Sequence, residues 1–183
     1  MIPQKYKKYN PTYFDKGKRG FIFRFKKDKK DYSLKIKRPD SEAIERLKNE
    51  AKYLKILNKY GIGPKLVSKG KDYIVYEFVD GKLLKDIKLN KEQTKEILRQ
   101  CFILDKLKLN KMEMHHPLKH IIINKKINLI DFERTYKTEK PKNVTQFLQF
   151  LKTNYKIRIS LNLIREYKQF QNETSFNKIL SSL

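Results

Sequence analysis

Leu47, Glu50, Leu54 and Leu57 recur at spacings of three, four and three residues, so one face of a helix carries three leucines and a carboxylate. The pattern predicts an amphipathic helix over Ser41 to Leu57, with Pro39 ahead of it and Asp40 or Ser41 as its cap. A carboxylate on an inward stripe is costly unless a cation meets it. Lys35, in the apolar segment just before, can supply that cation. The other reading puts Glu50 at the edge of the stripe, in water.

The segments around this helix predict an α+β fold. Phe21–Phe25 and Tyr32–Ile36 read as strands joined by the polar turn Lys26–Asp31. Gly61-Ile62-Gly63-Pro64 breaks the chain, and Lys65–Ser68 and Tyr73–Val79 read as a second strand pair ended by Asp80-Gly81. Lys91–Leu109 is predicted as a helix, with Ile97, Cys101 and Leu104 on one face and Leu98 and Leu107 beside it. Ile121–Ile123 and Ile127–Ile130 form a hairpin about Asn124-Lys125-Lys126, and two or three helices follow over Asn143–Leu183. Strands with one inserted helix, then mainly helices, make a single two-lobed domain: an N-lobe with an antiparallel sheet over 1–79 and a reduced helical C-lobe over 80–183.

With 44 Lys+Arg against 20 Asp+Glu, the net charge is +24. Such a field attracts polyanions such as RNA or a ribonucleoprotein, nucleotide phosphates or anionic membranes. The plainer reading is that lysine is the default surface residue, because basic residues run along the whole chain. Cys101 is the single cysteine and cannot form an internal disulfide, which favours a reducing, cytoplasmic setting. No segment approaches the ~20 apolar residues of a membrane span, and the basic stretch Met1–Tyr9 is not followed by the apolar run of a secretory signal. No membrane partner is expected.

Two further features suggest chemistry. Asp131 follows Ile127-Asn128-Leu129-Ile130, and strand alternation gives it the face of Ile127 and Leu129, where it can hold a hard cation such as Mg²⁺. It can equally be a turn aspartate. Gly17 and Gly20 precede the first predicted strand and would let backbone N–H groups approach phosphates, or simply form a loop.

Taken in order, these pieces resemble a minimal, archaeal-type protein-kinase-like family of predicted Ser/Thr kinases, related to the RIO kinases and to the kinase of the KEOPS complex. Gly17, Gly20 and Ile22 resemble the kinase glycine-rich loop, with Asp15 where its first glycine would stand. Tyr32-Ser33-Leu34-Lys35 resembles V-A-I-K, so Lys35 would hold ATP phosphates and Glu50 would be its partner glutamate. Tyr73–Gly81 resembles the strand and hinge over adenine, which implies ATP contacts at Glu77 and Val79. Ile130-Asp131-Phe132-Glu133 resembles D-F-G, with Asp131 as ligand of Mg²⁺ (or Mn²⁺), and its D-F-E form is similar to that of small-molecule kinases of the choline kinase type.

The catalytic loop departs from the kinase pattern. Aligned on the apolar strand that follows, Glu113-Met114-His115 covers H-G-D, so His115 stands at the base and His120 at the metal-binding asparagine. All three histidines of the chain, His115, His116 and His120, fall here. Three readings stay open: His115 is the base, with Lys119 neutralising the transferred phosphoryl group; the loop is inactive and the domain only binds nucleotide; or the histidines hold a transition metal. The resemblance implies an ATP-dependent Ser/Thr protein kinase. A nucleotide-binding pseudokinase docking on RNA or on ribosomal or tRNA machinery, a small-molecule kinase, and a basic nucleic-acid-binding protein without a nucleotide site are the alternatives. The phospho-acceptor is a protein or a small molecule.

Overall fold

A computed structural model describes residues 1–17, 20–38 and 44–183, the side chain of Ile44 excepted. The expected helix start at Ser41, its cap at Asp40 or Ser41, and Pro39 lie outside the described residues, as do Lys18 and Arg19. The chain divides into two compact units: Met1–Asp80 with Ile130–Arg134, and Gly81–Leu129 with Thr135–Leu183.

The first unit contains α1 (Gln4–Lys7), β1 (Thr12–Lys16), β2 (Gly20–Lys27), β3 (Lys30–Lys37), α2 (Ile44–Leu57), β4 (Leu66–Lys69) and β5 (Tyr73–Glu77). The strands form one antiparallel sheet of order β1-β2-β3-β5-β4, with β3 at its centre. Period-two alternation divides β3 between two cores. Leu34 and Ile36 join Tyr6, Phe25 and Val75 in one. Lys35 pairs in register with Ile74, which packs with Leu47 and Ala51 of α2 in the other. The helix stripe and the central lysine therefore meet on one face of the sheet. Leu34, Leu54 and Leu57 are fully buried, and each side chain contributes about 1.5–3 kcal/mol by leaving water.

The β2–β3 turn is not the polar stretch Lys26–Asp31 but the two residues Asp28 and Lys29, at φ 50° and 62°. Lys26 pairs with Asp31 and Lys27 with Lys30, because positive φ at both central positions matches the strand twist and lets the ladder run to the tip. The fourth strand covers Leu66–Lys69 rather than Lys65–Ser68. β5 stops at Glu77, short of Val79; beyond it the Phe78 N–H donates to the Asp31 carbonyl at 2.9 Å. β1 and α1 were not anticipated. All five β1 residues are exposed, so they carry no burial pattern to read, and α1 is one turn held by Tyr6 against Phe25 at 5.4 Å between ring centres.

The second unit contains β6 (Lys82–Leu83), α3 (Lys91–Lys106), β7 (Leu109–Asn110), β8 (Ile121–Ile123), β9 (Ile127–Leu129), β10 (Tyr136–Lys137), α4 (Asn143–Tyr155), α5 (Leu161–Phe170) and α6 (Glu173–Ser181). β8 and β9 form the expected hairpin, joined by β6. Gly81, at φ 147°, leads into β6 where an added Cβ would stand 2.7 Å from the Ile123 carbonyl. Ile97, Leu98, Cys101 and Leu104 are buried along α3 as the pattern predicts. The helix ends at Lys106 rather than Leu109, since Lys108 turns left-handed at φ 56° and Leu109 enters β7. The final segment holds three helices, with Phe102 of α3 stacked on Phe176 of α6 at 4.2 Å.

Asp105 ties this unit together. Its carboxylate accepts from the Asn143 and Val144 backbone N–H groups at 3.0 and 3.2 Å, from Asn143 Nδ2 at 2.7 Å and from the Tyr167 hydroxyl at 2.8 Å. It closes the start of α4, where the helix dipole favours a negative charge. Asn143 in turn accepts from the Lys111 N–H at 2.8 Å and donates to the Leu109 carbonyl at 2.6 Å, fixing the chain that enters the histidine loop. Among the described residues no helix is long and apolar enough to cross a membrane.

Candidate nucleotide and metal site

Lys35 projects from the central strand into the first unit's α2 face, and three carboxylates surround it. Its Nζ lies 2.7 Å from Glu50 Oε2, 3.2 Å from Asp131 Oδ1 and 3.6 Å from Glu133 Oε2. Glu50 is 2% exposed, which decides against the reading that leaves it in water. Asn49, one residue earlier on α2, donates from Nδ2 to the Glu133 carbonyl at 2.9 Å and fixes the Ile130–Arg134 segment in place. Gly20 explains itself at this point too. An added Cβ would lie 3.0 Å from the Ile36 carbonyl and 3.4 Å from Lys35 Cγ, so a side chain there would have to push the Ile36 carbonyl back by a few tenths of an ångström beside the lysine stem.

The electrostatics follow from one cation facing three anions. Burial alone would depress the Lys35 ammonium, yet Glu50, Asp131, Tyr76 and Glu133 together hold it well above the ordinary lysine range. Burial pushes Glu50 up to about 7, and Asp131 and Glu133 add to the rise while Lys35 opposes it. Burial, then Glu50, raises the Tyr76 phenol, which stays a neutral group. One ligand oxygen from each of Glu50, Asp131 and Glu133 lies within 4.8 Å of the others. Excess negative charge and an all-oxygen donor set fit a hard divalent cation such as Mg²⁺.

Lys35, Glu50 and Asp131 are thus brought together. Glu133 completes the group, and the signal for it was the glutamate of D-F-E. The route to Asp131 differs from the expected one. β9 ends at Leu129 and Asp131 has φ 64°, so a left-handed backbone rather than strand alternation with Ile127 and Leu129 aims its side chain. Such a conformation at a non-glycine residue is a small strain held at the site.

Gly17 sits at the β1–β2 turn and its N–H donates to the Gly20 carbonyl at 2.9 Å. Glu77 ends β5 with its N–H on the Lys65 carbonyl at 2.9 Å, and Val79 follows in the connection. His115, Lys119 and His120 belong to the second unit: His115 ends the short 3₁₀ turn Met112–His115, Lys119 ends a second one, Pro117–Lys119, and His120 follows it. His115 is exposed, and its Nδ1 lies 2.6 Å from the Met112 carbonyl. That contact assigns the proton to Nδ1 and leaves Nε2 as the basic nitrogen. Within the same loop Lys111 Nζ pairs with Glu113 Oε2 at 3.1 Å; both are buried, and neither was singled out from the sequence as an ion pair.

An antiparallel sheet with one helix against a central lysine, and a second, mainly helical unit, define a protein-kinase-like fold. Residues 14–107, just over half of the chain, match APH, the Phosphotransferase enzyme family, and the chain belongs to that family. The Rio2 kinase of Chaetomium thermophilum, in its ADP/Mg²⁺-phosphoaspartate complex, aligns over 96% of this chain and 71% of its own, with TM-score 0.66 and 14% identity. A second structure of that Rio2 kinase gives TM-score 0.61 and 13% identity over 97% of this chain and 65% of its own. A further solved kinase domain gives 0.57 and 18% over 70% and 51%. These likenesses are likenesses of fold. No curated protein sequence matches the chain.

Proposed function

We propose that the chain is an ATP-dependent kinase that phosphorylates serine or threonine hydroxyls of proteins, itself included. The observation that carries this reading is the buried lysine held within 2.7, 3.2 and 3.6 Å of Glu50, Asp131 and Glu133. Phosphoryl transfer depends mostly on positioning and on neutralising charge. Lys35 offers a cation to phosphate oxygens, and Glu50 orients it. Gly17 and Gly20 allow a close approach of the β1–β2 turn to the phosphates. Glu77 and Val79 are assigned to the adenine. Asp131 and Glu133 would hold Mg²⁺ (or Mn²⁺), with His120 as a further candidate ligand, and the ion would neutralise phosphate charge.

His115 is the proposed base. The acceptor oxygen bonds to the γ-phosphorus, the bond from that phosphorus to the bridging oxygen of ADP breaks, and the acceptor proton passes to His115 Nε2. Lys119 is assigned to charge on the transferred group. A second reading, a nucleotide-gated module that docks on RNA without turnover, is favoured by one feature. Lys5, Lys8 and Lys27 line a hollow of about 320 Å³ in the first unit together with Tyr6, Tyr9 and Tyr32, the basic-aromatic mixture that suits single-stranded RNA.

The test is transfer of labelled γ-phosphate from Mg·ATP by wild type, Lys35→Ala, Asp131→Ala and His115→Ala. The kinase reading expects nucleotide binding to need Lys35 and Asp131. It expects His115→Ala to keep binding and to lose about 10²–10⁴-fold in rate. Binding without transfer to protein turns the reading toward the RNA module, or, if an added metabolite is labelled, toward a small-molecule kinase.

A further inference from the structure

The second unit carries a groove of about 540 Å³ between α4 with the residues leading into it, α5 and the segment joining the two helices, with His115 among its lining residues. A volume in the range of about 300–1,000 Å³ is that of ligand sites. Its aliphatic wall is Leu148, Ile157, Ile159, Leu161 and Ile164. Four lysines also line it, Lys140, Lys142, Lys152 and Lys168, and no carboxylate does. Lys140, Lys142, Lys152 and Lys168 are exposed and make no ion pair within the groove, so their charge is presented to whatever enters. Gln146 lines the groove as well, and its Oε1 is buried with no hydrogen-bond partner among the described residues. A buried acceptor left unmatched is costly, and a donor arriving in the groove would recover that cost.

We propose that this groove docks an acidic segment of a polypeptide bearing aliphatic side chains, and that the hydroxyl acceptor lies in that segment. The proposal rests on the kinase reading for the role of His115 and deepens it by naming the substrate class. Aliphatic side chains fill the apolar wall, Asp or Glu side chains meet the lysines, and a backbone N–H meets Gln146 Oε1. Nucleic acid fits less well. Its bases stack best on the broad rings of Phe, Tyr or Trp, and none of these lines this groove, where His115 offers an imidazole; its phosphates are acceptors and cannot serve Gln146 Oε1.

The experiment is fluorescence anisotropy with a short labelled peptide of alternating glutamate and leucine around a central serine. A copy with lysine for glutamate, a copy with asparagine for leucine, and labelled oligo-uridine are the controls. Each is titrated with wild type and with the exposed triple variant Lys142→Glu/Lys152→Glu/Lys168→Glu, and Mg·ATP binding is measured in parallel. The expected result is binding of the acidic leucine peptide alone, at least about tenfold weaker in the triple variant and weakened by salt, with Mg·ATP binding unchanged. Equal binding of acidic and basic peptides, an unaffected triple variant, or oligo-uridine as the preferred ligand of this groove would overturn the proposal. So would sedimentation showing a wild-type dimer that the triple variant loses, because a second copy would then fill the groove. Peptide binding with no labelling of its serine leaves the groove standing and counts against the kinase reading. Labelling of other proteins without peptide binding does the reverse.

Discussion

Lys35 Nζ and Glu50 Oε2 are 2.7 Å apart, on a central strand and a helix joined by residues outside the description, and both side chains are buried. The pair is not isolated, because Asp131 and Glu133 share the same lysine. This makes the two partners unequal. Lys35 is the one cation of the group; Glu50 is one of three anions.

Lys35→Met should therefore cost about 3–5 kcal/mol, since it leaves buried carboxylates uncompensated. Glu50→Gln should cost markedly less, since Lys35 keeps Asp131 and Glu133. Urea denaturation of the two variants at neutral pH and without divalent cations checks the order. Equal costs would mean that Lys35 and Glu50 form a self-contained pair.

Glu50 also sets a pH dependence. Its folded value, about 7, lies above the ordinary 4.5. The folded state therefore holds a proton that the unfolded chain releases, and the stabilisation is complete below pH 4.5 and lost as pH rises through 7. The loss from this group is about 3 kcal/mol across that window. Thermal denaturation of wild type against Glu50→Gln should show the slope in the first and not in the second. Saturating Mg²⁺ should flatten it, because a cation favours the ionised carboxylate.

Lys29 occupies φ 62° in the β2–β3 turn, where a side chain is disfavoured. Lys29→Gly should stabilise the protein by about 1 kcal/mol, read as a rise in Tm. A fall would mean that the lysine side chain makes a contact worth more than the backbone strain.

Tyr167 donates to buried Asp105 at 2.8 Å. Tyr167→Phe removes one of the donors and should cost about 1.5–3 kcal/mol. Asn143→Ala should cost more, because Asn143 also joins Asp105 to Leu109 and Lys111. Equilibrium denaturation of both variants gives the comparison.

The legible parts of this chain were those with a period. The alternation around Lys35 and the stripe through Glu50 announced their secondary structure, while their meeting was implied by the kinase resemblance rather than by the period; the leucines and isoleucines of α3 announced the main helix of the second unit. What lay hidden had no period to read. β1 is exposed along its whole length, and a left-handed backbone at Asp131, not strand alternation, aims its carboxylate. Glu133 sits inside the Asp131-Phe132-Glu133 motif, yet its part in the cluster depends on how residues 130–134 return to the first unit. Asp105 is a charge held by contacts 38 residues away, and Lys111, which pairs with Glu113 two residues on, is tied by its N–H to Asn143; local spacing encodes neither burial.

Calorimetric titration of Mg·ATP into wild type, Asp131→Asn and Glu133→Gln asks whether the Lys35 cluster binds a metal-bound nucleotide. Wild type should bind measurably in Mg²⁺, each variant at least about tenfold more weakly, with the difference abolished when EDTA removes the metal. No binding by wild type, or equal binding by all three proteins in Mg²⁺, would contradict the assignment of the Lys35 cluster to a metal-bound nucleotide.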